Sequence, residues 1–518
     1  MNFRRLLPIF ILTVIFIFIA IPRLRFPDLD HGDDYADGSI LNAAENFARF
    51  GFIKCRFLPL YEPDKDKPDK LYTHYPPLGE NFNGLLRILT KSSSLYNFRV
   101  AALLFSLLSI IFWYFFIREV TQSLFLGLFF SILYLTNPMV IFGIDSLGIP
   151  LSDLFRSLIL LLFARMLSLS GGKKGIAFLC LWVLFMLSSL INYEYIIFLF
   201  IFFLLYKVVF KKSKRDLSLM GIFILFLAPV CAFLLHLFQN SWYFGSFSAA
   251  MQDLRHIAAE RVAASKDSPV PLNLINWWQL VIMRNYSLVF IFNYSIIAAF
   301  SAFAFVLYRL LLPETRRKIN LALKLSLLFM LCGMTWYMVF PSHSLAHTFV
   351  FFLARHLAPF AALSFAIFCY IVFSFVSERY PDNPFGRVIL GALIIIIVLT
   401  GAFKSNLPIT AEGIAGSKDF LIFKKSLLDL RAQSRPKDRV GVNYFRFPFI
   451  CYYLSRGCDV VFDKPSLEKL PRLPRYFIFM PYQYQPAMEL SQFLNQRYDI
   501  LYQCRSGRFP AVFFKLKE

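Results

Sequence analysis

The sequence is poor in charged side chains, and acidic ones are especially scarce. Charged residues make up 17% of its 518 residues, whereas soluble domains contain about 25%. The chain has no internal repeat and no low-complexity tract, which excludes a repeat architecture and a disordered chain. Its eight cysteines form no Cys-x-x-Cys pair and no Cys/His cluster at zinc spacing, so a structural zinc site is not expected. Four of them lie in polar segments and are compatible with a disulfide: Cys55, Cys451, Cys458 and Cys504.

Apolar side chains dominate the rest of the chain. Hydrophobic residues are 58% of the sequence and phenylalanine occurs 63 times, yet the formal net charge is +22. This composition excludes a soluble enzyme and a coiled coil, and it fits a polytopic all-α membrane protein. A bilayer core needs roughly 20 apolar residues per helix. Eleven runs qualify, near residues 6–22, 98–117, 123–142, 149–168, 175–192, 194–210, 217–237, 286–311, 321–340, 356–376 and 387–403.

Basic residues mark alternate loops of this predicted bundle. The basic loops include 165–174, 207–215 and 309–318, and the N-terminus carries Arg4 and Arg5. The positive-inside rule places them in the cytoplasm, so an odd number of spans places the C-terminus outside. The basic excess is thus a topology signal and not a nucleic-acid footprint. We expect a multi-pass protein of a bacterial inner membrane, with a transmembrane domain over 1–403 and large periplasmic loops at 23–97 and 238–285.

Residues 404–518 have a different pattern, in which polar and apolar residues alternate between Pro and Gly punctuation. Amphipathic stretches near 417–433 and 485–496 are typical of helices. Short β-type runs occur at 439–444, 459–463, 476–480, 498–503 and 511–516. Strands that alternate with helices predict a soluble periplasmic α/β domain.

The first outer loop is rich in carboxylates and in aromatic residues. It carries Asp33 and Asp34 just after the first predicted span, and an amphipathic stretch follows over 40–50 with Leu41, Ala44, Phe47 and Ala48 on one side. Such a stretch predicts a helix that lies in the membrane interface. A second short helix is expected after Tyr75-Pro76-Pro77-Leu78. The acidic run alone is equally typical of a solvated loop.

Other ionisable residues fall at the same predicted face. Asp145 precedes the fourth span, Asp153 and Arg156 share one face of it, and Arg355-His356 precede the tenth. Ionisable groups at membrane depth are costly and often functional. The alternatives are a salt bridge between Asp153 and Arg156 that only anchors the helix end, and an Arg355 that extends to lipid headgroups.

The order of these motifs resembles the C-type integral-membrane glycosyltransferases. Within them it is closest to the branch of the protein O-mannosyltransferases and the lipid A aminoarabinose transferases. The matching elements are Asp33-Asp34-Tyr35-Ala36, Tyr75-Pro76-Pro77-Leu78, Phe98-Arg99-Val100, Thr136-Asn137-Pro138, Asp153 and Arg355-His356-x-x-Pro359. The match is most continuous over residues 28–170. The sequence departs from the family where Asp34 replaces Glu and where Pro150-Leu151-Ser152 precede Asp153, so Asp145 and Asp153 remain alternatives.

The resemblance implies transfer of a hexose or pentose from a polyprenyl-phosphate donor to a hydroxyl of a glycan, lipid or protein. An acceptor hydroxyl needs a general base, and the resemblance assigns that role to Asp33, with Asp34 second. A phosphate leaving group needs cations. The candidates for these are Arg355, His356, His74 and Arg99. Residues that would orient the acceptor or the base are Asp153, Asp145 and Tyr75. The scheme requires no cofactor, although adjacent carboxylates are able to bind a divalent metal.

Two other functions fit some of these features. A lipid-linked glycan transporter or flippase would also need many spans and buried charges, but its site would lie near the bilayer midplane. A polysaccharide polymerase or ligase would use the same kind of donor, but it would be favoured by short outer loops richer in Arg. The sequence identifies neither the sugar nor the acceptor.

Overall fold

The computed structural model of this chain is mainly helical. It describes residues 3–24, 34–62, 70–210, 218–262, 274–276, 278–279, 304–341, 353–382, 389, 391–393, 396, 418–444, 447–481, 487–507 and 509–517. The helices before residue 270 are α1 (Phe3–Leu24), α2 (Asp34–Phe50), α3 (Leu78–Thr90), α4 (Leu95–Thr121), α5 (Leu124–Leu135), α6 (Pro138–Phe142), α7 (Ile149–Ser168), α8 (Gly171–Ser189), α9 (Tyr193–Val209), α10 (Leu219–Phe244) and α11 (Phe247–Val262). Two long helices follow, α12 (Pro313–Val339) and α13 (Ala358–Arg379).

Hydropathy locates the described membrane helices well. Six helices in the described ranges are long and apolar enough to cross a membrane, by length and composition: α1, α4, α8, α10, α12 and α13. The predicted runs 149–168 and 194–210 correspond to α7 and α9, and α9 is separate from α8. The run at 387–403 and most of 286–311 lie outside the described residues. The predicted number of eleven spans therefore stays a prediction.

The third predicted run, 123–142, is two helices and not one. Helix α5 ends at Leu135, and α6 begins at Pro138. The side chain of Asn137 accepts a hydrogen bond from the Met139 amide, and Pro138 occupies the first helical position. An Asn cap followed by Pro is a strong helix start, so the sequence itself breaks the span here.

The C-terminal residues form the five strands that alternation predicts. They are β1 (Val440–Val442), β2 (Cys458–Val460), β3 (Tyr476–Phe479), β4 (Tyr498–Cys504) and β5 (Ala511–Leu516), in the order β2-β1-β3-β5-β4. Strand β1 is parallel to β2 and β3, whereas β5 is antiparallel to β3 and β4. The helices are α14 (418–433), α15 (Phe447–Leu454), α16 (Lys464–Glu468) and α17 (Ala487–Arg497). The structure pairs Cys451 of α15 with Cys458 of β2 as a disulfide.

This sheet region shares its hydrophobic core with the first loop. Leu41 and Ala44 of α2 are buried in the same cluster as Phe449 of α15. A Cβ added at Gly38 would lie 2.6 Å from the Phe449 backbone nitrogen, so α2 and α15 approach more closely than a side chain allows. Asn42 Nδ2 donates to the Pro448 carbonyl at 2.8 Å. The region thus packs on the first loop.

The apolar face predicted for α2 is covered by protein. Leu41, Ala44 and Phe47 are buried, whereas Ala48, predicted on the same side of the helix, is exposed. The opposite face is not solvated either, because Asn42 and Asn46 are also buried. Asp37, four residues before Leu41 and so on the same side as it, is buried as well. The predicted location of α2 in the membrane interface stays a prediction.

Candidate functional site

Asp153 in the first turns of α7 is the centre of a buried ion cluster. Its Oδ1 accepts hydrogen bonds from Arg156 Nη2 at 2.7 Å and from the Tyr195 hydroxyl at 2.8 Å. Its Oδ2 accepts from Arg355 Nε at 2.6 Å and also pairs with Arg355 Nη2. Asp153, Arg156 and Arg355 are each at most 2% exposed. Both carboxylate oxygens are thus satisfied by two guanidiniums and a phenol.

Arg355 connects this cluster to the short helix α6. Its Nη1 donates to the carbonyls of Met139 and Val140, both at 3.0 Å. A Cβ at Gly143 would lie 2.7 Å from the same nitrogen, so the glycine leaves room for the guanidinium. All three nitrogens of Arg355 therefore have partners inside the protein.

Arg156 lies among aromatic rings. Its guanidinium carbon is 4.9 Å from the Tyr195 ring centre, 5.2 Å from Phe198 and 5.6 Å from Trp113. Such cation–π contacts stabilise a cation that has been removed from water. Arg156 Nη1 also contacts His356 Nδ1 at 3.2 Å.

His356 links the Asp153 cluster to a more open acid. Its Nε2 is 3.6 Å from Glu194 Oε2, and Glu194 is the more exposed of the pair. Glu194 follows the Asn192 cap, whose side chain accepts from the Glu194 amide, so the carboxylate occupies the first turn of α9. A carboxylate at a helix N-terminus is favourably placed.

A second buried cluster forms around Asp145, in the segment between α6 and α7. Arg23, at the end of α1, donates from Nη1 to Asp145 Oδ1 at 3.0 Å. Arg99, in the first turns of α4, has its Nε 3.7 Å from Oδ2, which is an ion pair but not a hydrogen bond. All three residues are at most 3% exposed. Arg23 Nη2 and Asp145 Oδ2 are buried without a hydrogen-bond partner.

Helix α2 is docked directly beside this second cluster. Asp37 Oδ1 accepts from the Leu147 amide at 2.8 Å and from the Ser146 hydroxyl at 3.1 Å. Asp145 immediately precedes these two residues in the chain. The chain therefore enters α2, at Asp34, close to the segment that carries Asp145.

A strip of half-buried aromatic rings leads towards Glu194. Tyr72 contacts His74 at 4.9 Å between ring centres and Tyr75 at 6.5 Å, and Tyr75 contacts Tyr193 at 5.9 Å. Aromatic faces of this kind are able to cover an apolar chain or a sugar ring. His74 and Tyr75 therefore belong to this aromatic strip, whereas Arg355 belongs to the Asp153 cluster.

Residues of α10 and α11 hold the loop that carries these rings by hydrogen bonds to Thr73. The Thr73 carbonyl contacts His236 Nε2 at 3.0 Å and accepts from Asn240 Nδ2 at 3.1 Å. The Thr73 hydroxyl donates to Asp253 at 2.7 Å. His236 and Asn240 are buried and Asp253 is half-buried, so the loop conformation is specified by protein contacts.

Glu80, just after the Pro76-Pro77 element, pairs with Tyr61. The Tyr61 hydroxyl donates to Glu80 Oε1 at 2.8 Å. Burial raises the pKa of the Glu80 carboxyl, although the hydrogen bond from Tyr61 acts in the opposite direction. Sequence reasoning did not single out this pair.

The structure sorts the predicted site residues into three groups. Arg355, His356 and Asp153 lie together, Arg99 lies with Asp145, and His74 with Tyr75 form the aromatic strip. Asp33 lies outside the described residues, and Asp34 begins α2 with its side chain not described. The proposed catalytic and donor-binding roles therefore stay predictions.

Three contributors were missed: Arg23, Tyr195 and Asp37. Arg23 looked like a residue flanking the first span, and only its position directly after an apolar run hinted at burial. Asp37 was one acid in an acidic run, and its sequence neighbours carry no sign of the Leu147 amide. In the described part of the chain, no three His, Cys, Asp or Glu residues are grouped to hold a metal.

No protein-family model matches the chain, and no curated protein matches its sequence. Solved structures do match. ArnT from Cupriavidus metallidurans bound to undecaprenyl phosphate is 13% identical, with 97% of both chains covered and a TM-score of 0.60. The apo state of ArnT gives 12% identity and a TM-score of 0.58. The apo oligosaccharyltransferase of Archaeoglobus fulgidus is 12% identical over 90% of this chain and 69% of its own, with a TM-score of 0.50.

These matches confirm, at the level of fold, the resemblance that the sequence motifs indicate. ArnT is a lipid A aminoarabinose transferase, and both enzymes are C-type membrane glycosyltransferases. The likeness to ArnT extends over nearly the whole chain, including the C-terminal sheet region. At 13% identity it establishes a shared architecture and not a shared substrate.

Proposed function

We propose that this protein is a membrane glycosyltransferase that moves a sugar from a polyprenyl-phosphate-linked donor to a hydroxyl acceptor at the outer face of the membrane. The observation that carries the proposal is a fold shared over 97% of the chain with ArnT, which was solved with undecaprenyl phosphate bound. Two ion clusters at a common end of the helices support it, because a lipid-linked donor must react at the membrane surface. The protein would be a multi-pass one, with its C-terminal sheet region on the same outer side.

The chemistry would be a single inverting displacement. Asp33 would act as the general base that takes the proton of the acceptor hydroxyl, with Asp34 as the second candidate. The bond from the sugar anomeric carbon to phosphate oxygen breaks as the acceptor oxygen bonds to that carbon. A divalent metal held by these adjacent carboxylates remains an option of the same scheme.

The cations that face the phosphate would come first from the Asp145 cluster. Asp145 Oδ2 and Arg23 Nη2 have no hydrogen-bond partner, whereas both oxygens of Asp153 are engaged. We therefore assign Arg99 and Arg23 to the donor phosphate, with His74 from the aromatic strip. Arg355 and His356 would not contact the phosphate directly, because the nitrogens of Arg355 already bond to Asp153 and to the Met139 carbonyl.

Transport is a weaker candidate for this geometry. Asp153 lies in the first turns of α7, Arg99 in the first turns of α4, and Asp145 between helices. The charges are thus at helix ends, whereas transporter sites lie near the bilayer midplane. No observation on the described residues favours a polymerase or ligase over transfer of a single sugar.

The proposal is tested by replacing Asp33 with Asn in the full-length purified protein. Undecaprenyl-phosphate aminoarabinose and undecaprenyl-phosphate mannose serve as donor probes, with lipid A and a Ser/Thr peptide as acceptors, and release of undecaprenyl phosphate is measured. We expect D33N to lower the transfer rate by about 10²-fold or more, because proton transfer by a positioned base contributes that much.

The neighbouring D34N variant is the matched control, and its rate should fall much less. A D33N protein that transfers at the wild-type rate would exclude Asp33 as the base. A wild-type protein inactive with every donor would send the search to glycan mass spectrometry of a deletion strain, where an unchanged envelope would refute the proposed function.

A further inference from the structure

The end of the bundle opposite the two ion clusters contains a cavity of about 380 Å³ at the start of α12. Arg316, Arg317, Lys324, Asn320 and Tyr308 line it. Gly333, further along α12, contacts the His356 carbonyl region. At about 1.5 Å per helical residue, Arg316 is about 25 Å along α12 from Gly333. The cavity is therefore separate from the candidate active site.

The cavity has an excess of positive charge. In the described part of the chain, no carboxylate lies within 4.0 Å of Arg316, Arg317 or Lys324. Two acids near the start of α12 have other partners. Glu314 pairs with Lys318 at 3.0 Å, and Glu378 accepts from the Leu312 amide at 2.8 Å and from the Thr315 hydroxyl at 2.5 Å.

Two polar groups of the cavity are available as hydrogen-bond donors to a ligand. Arg316 Nε is buried and has no hydrogen-bond partner. The Tyr308 hydroxyl donates to Asn320 Oδ1 at 2.9 Å, which fixes the amide and leaves its N–H groups as donors. The lining thus offers donors and cations, which suits a phosphate that carries polar substituents.

The same face of α12 becomes apolar towards the middle of the helix. Leu323, Leu327 and Leu331 are 49%, 47% and 38% exposed and follow Asn320 at helical spacing. Leu310, on the segment before α12, is also exposed. A charged cavity that continues into an exposed leucine stripe matches a headgroup joined to an acyl chain.

We propose that this cavity binds the phosphate headgroup of an anionic membrane lipid in the leaflet opposite the candidate active site. Arg316, Arg317 and Lys324 contact the phosphate oxygens, and Asn320 contacts the polar substituent. One acyl chain follows the stripe of Leu323, Leu327 and Leu331. The stripe favours a lipid over free phosphate, and the inference does not depend on the proposed sugar transfer.

The test uses the detergent-solubilised full-length protein and three probes: dioleoyl-phosphatidylglycerol, dioleoyl-phosphatidylcholine and inorganic phosphate. Each is titrated while the thermal unfolding midpoint is followed. We expect phosphatidylglycerol alone to raise the midpoint in the wild-type protein. The variant R316Q/R317Q should need about tenfold more of this lipid, because it loses charge-assisted hydrogen bonds to the phosphate.

K318Q is the matched control, because Lys318 lies on the same turns but is paired with Glu314. It should retain the wild-type response. Equal lipid affinity in R316Q/R317Q and wild type would overturn the site, and so would an equal loss in K318Q. A comparable midpoint rise with inorganic phosphate would overturn the lipid assignment. If the double variant does not fold, R317Q alone, at an exposed residue, is held to the same outcomes.

Discussion

The two buried ion clusters at the candidate site are built from the same residue types but are completed to different degrees. Around Asp153, both carboxylate oxygens and all three nitrogens of Arg355 have partners, whereas Arg156 Nε has no hydrogen bond. Around Asp145, Oδ2 and Arg23 Nη2 have no hydrogen-bond partner, and Oδ2 has only the 3.7 Å ion pair with Arg99 Nε. The two Asp residues were alternatives in the sequence, and only their surroundings separate them.

Burial of a charge costs free energy unless its hydrogen bonds are made. The fully hydrogen-bonded Asp153 carboxylate therefore holds elements in place, because it joins α7 to α9 and to the residues before α13. In the Asp145 cluster, Asp145 Oδ2 can still accept a hydrogen bond and Arg23 Nη2 can still donate one. The comparison favours a structural role for the Asp153 carboxylate, and it supports the proposal that the Asp145 cluster faces the donor.

The largest effect is expected for D153N. Removal of one partner from a buried ion pair typically costs about 3–5 kcal/mol, and here two guanidiniums would lose their carboxylate. The free energy of unfolding in detergent should fall by about that amount. D145N is the paired control and should lose clearly less, because Asp145 makes one hydrogen bond to Arg23. Equal losses in the two variants would remove the distinction between the clusters.

A smaller effect is expected for G143A. The added methyl would lie 2.7 Å from Arg355 Nη1, which the Met139 and Val140 carbonyls hold in place. Such overpacking typically costs about 1–3 kcal/mol. G175A is a control because nothing lies within 4 Å of the Cβ it would add, and it should stabilise α8 by about 0.5–1 kcal/mol. An unfolding midpoint for G143A at or above that of G175A would contradict the packing argument.

The smallest effect on stability is expected for R23Q. It leaves Asp145 its ion pair with Arg99, and the Gln amide keeps a donor beside Asp145 Oδ1, so the free energy of unfolding should change by about 1 kcal/mol. If Arg23 contacts the donor phosphate, as the proposed function requires, the transfer rate should nevertheless fall by at least about tenfold. A loss of stability as large as that of D153N, with the rate of the folded fraction unchanged, would make Arg23 another scaffold residue.

The fold was largely predictable because hydropathy and alternation are local signals. Each of the five strands falls within a predicted run or within one residue of it. The aromatic helix α15 (Phe447–Leu454) was missed, because a short apolar run has no clear helical or strand period. The break at Asn137-Pro138 was visible as a motif but was read as the end of a span, and the helix α6 beyond it was not anticipated.

The pairs within the clusters were much less predictable. Asp153 and Arg156 are one helical turn apart, and their pairing follows from spacing alone. Arg355 is 202 residues from Asp153, and Arg23 is 122 residues from Asp145. No periodicity connects such positions, because tertiary packing alone brings them together. The same limit hid the protein contacts of α2, whose apolar side predicted a helix in the membrane interface.

The hydrogen bond from Asn42 to the Pro448 carbonyl joins positions that are 406 residues apart. During synthesis, α2 emerges with the first loop, but the surface that buries Leu41 and Ala44 is made almost last. The core of the first loop therefore cannot close before residues 447–513 have been made, and contacts of such long range form late. The shape of this end of the molecule is therefore completed only after every described helix of the bundle has been synthesised.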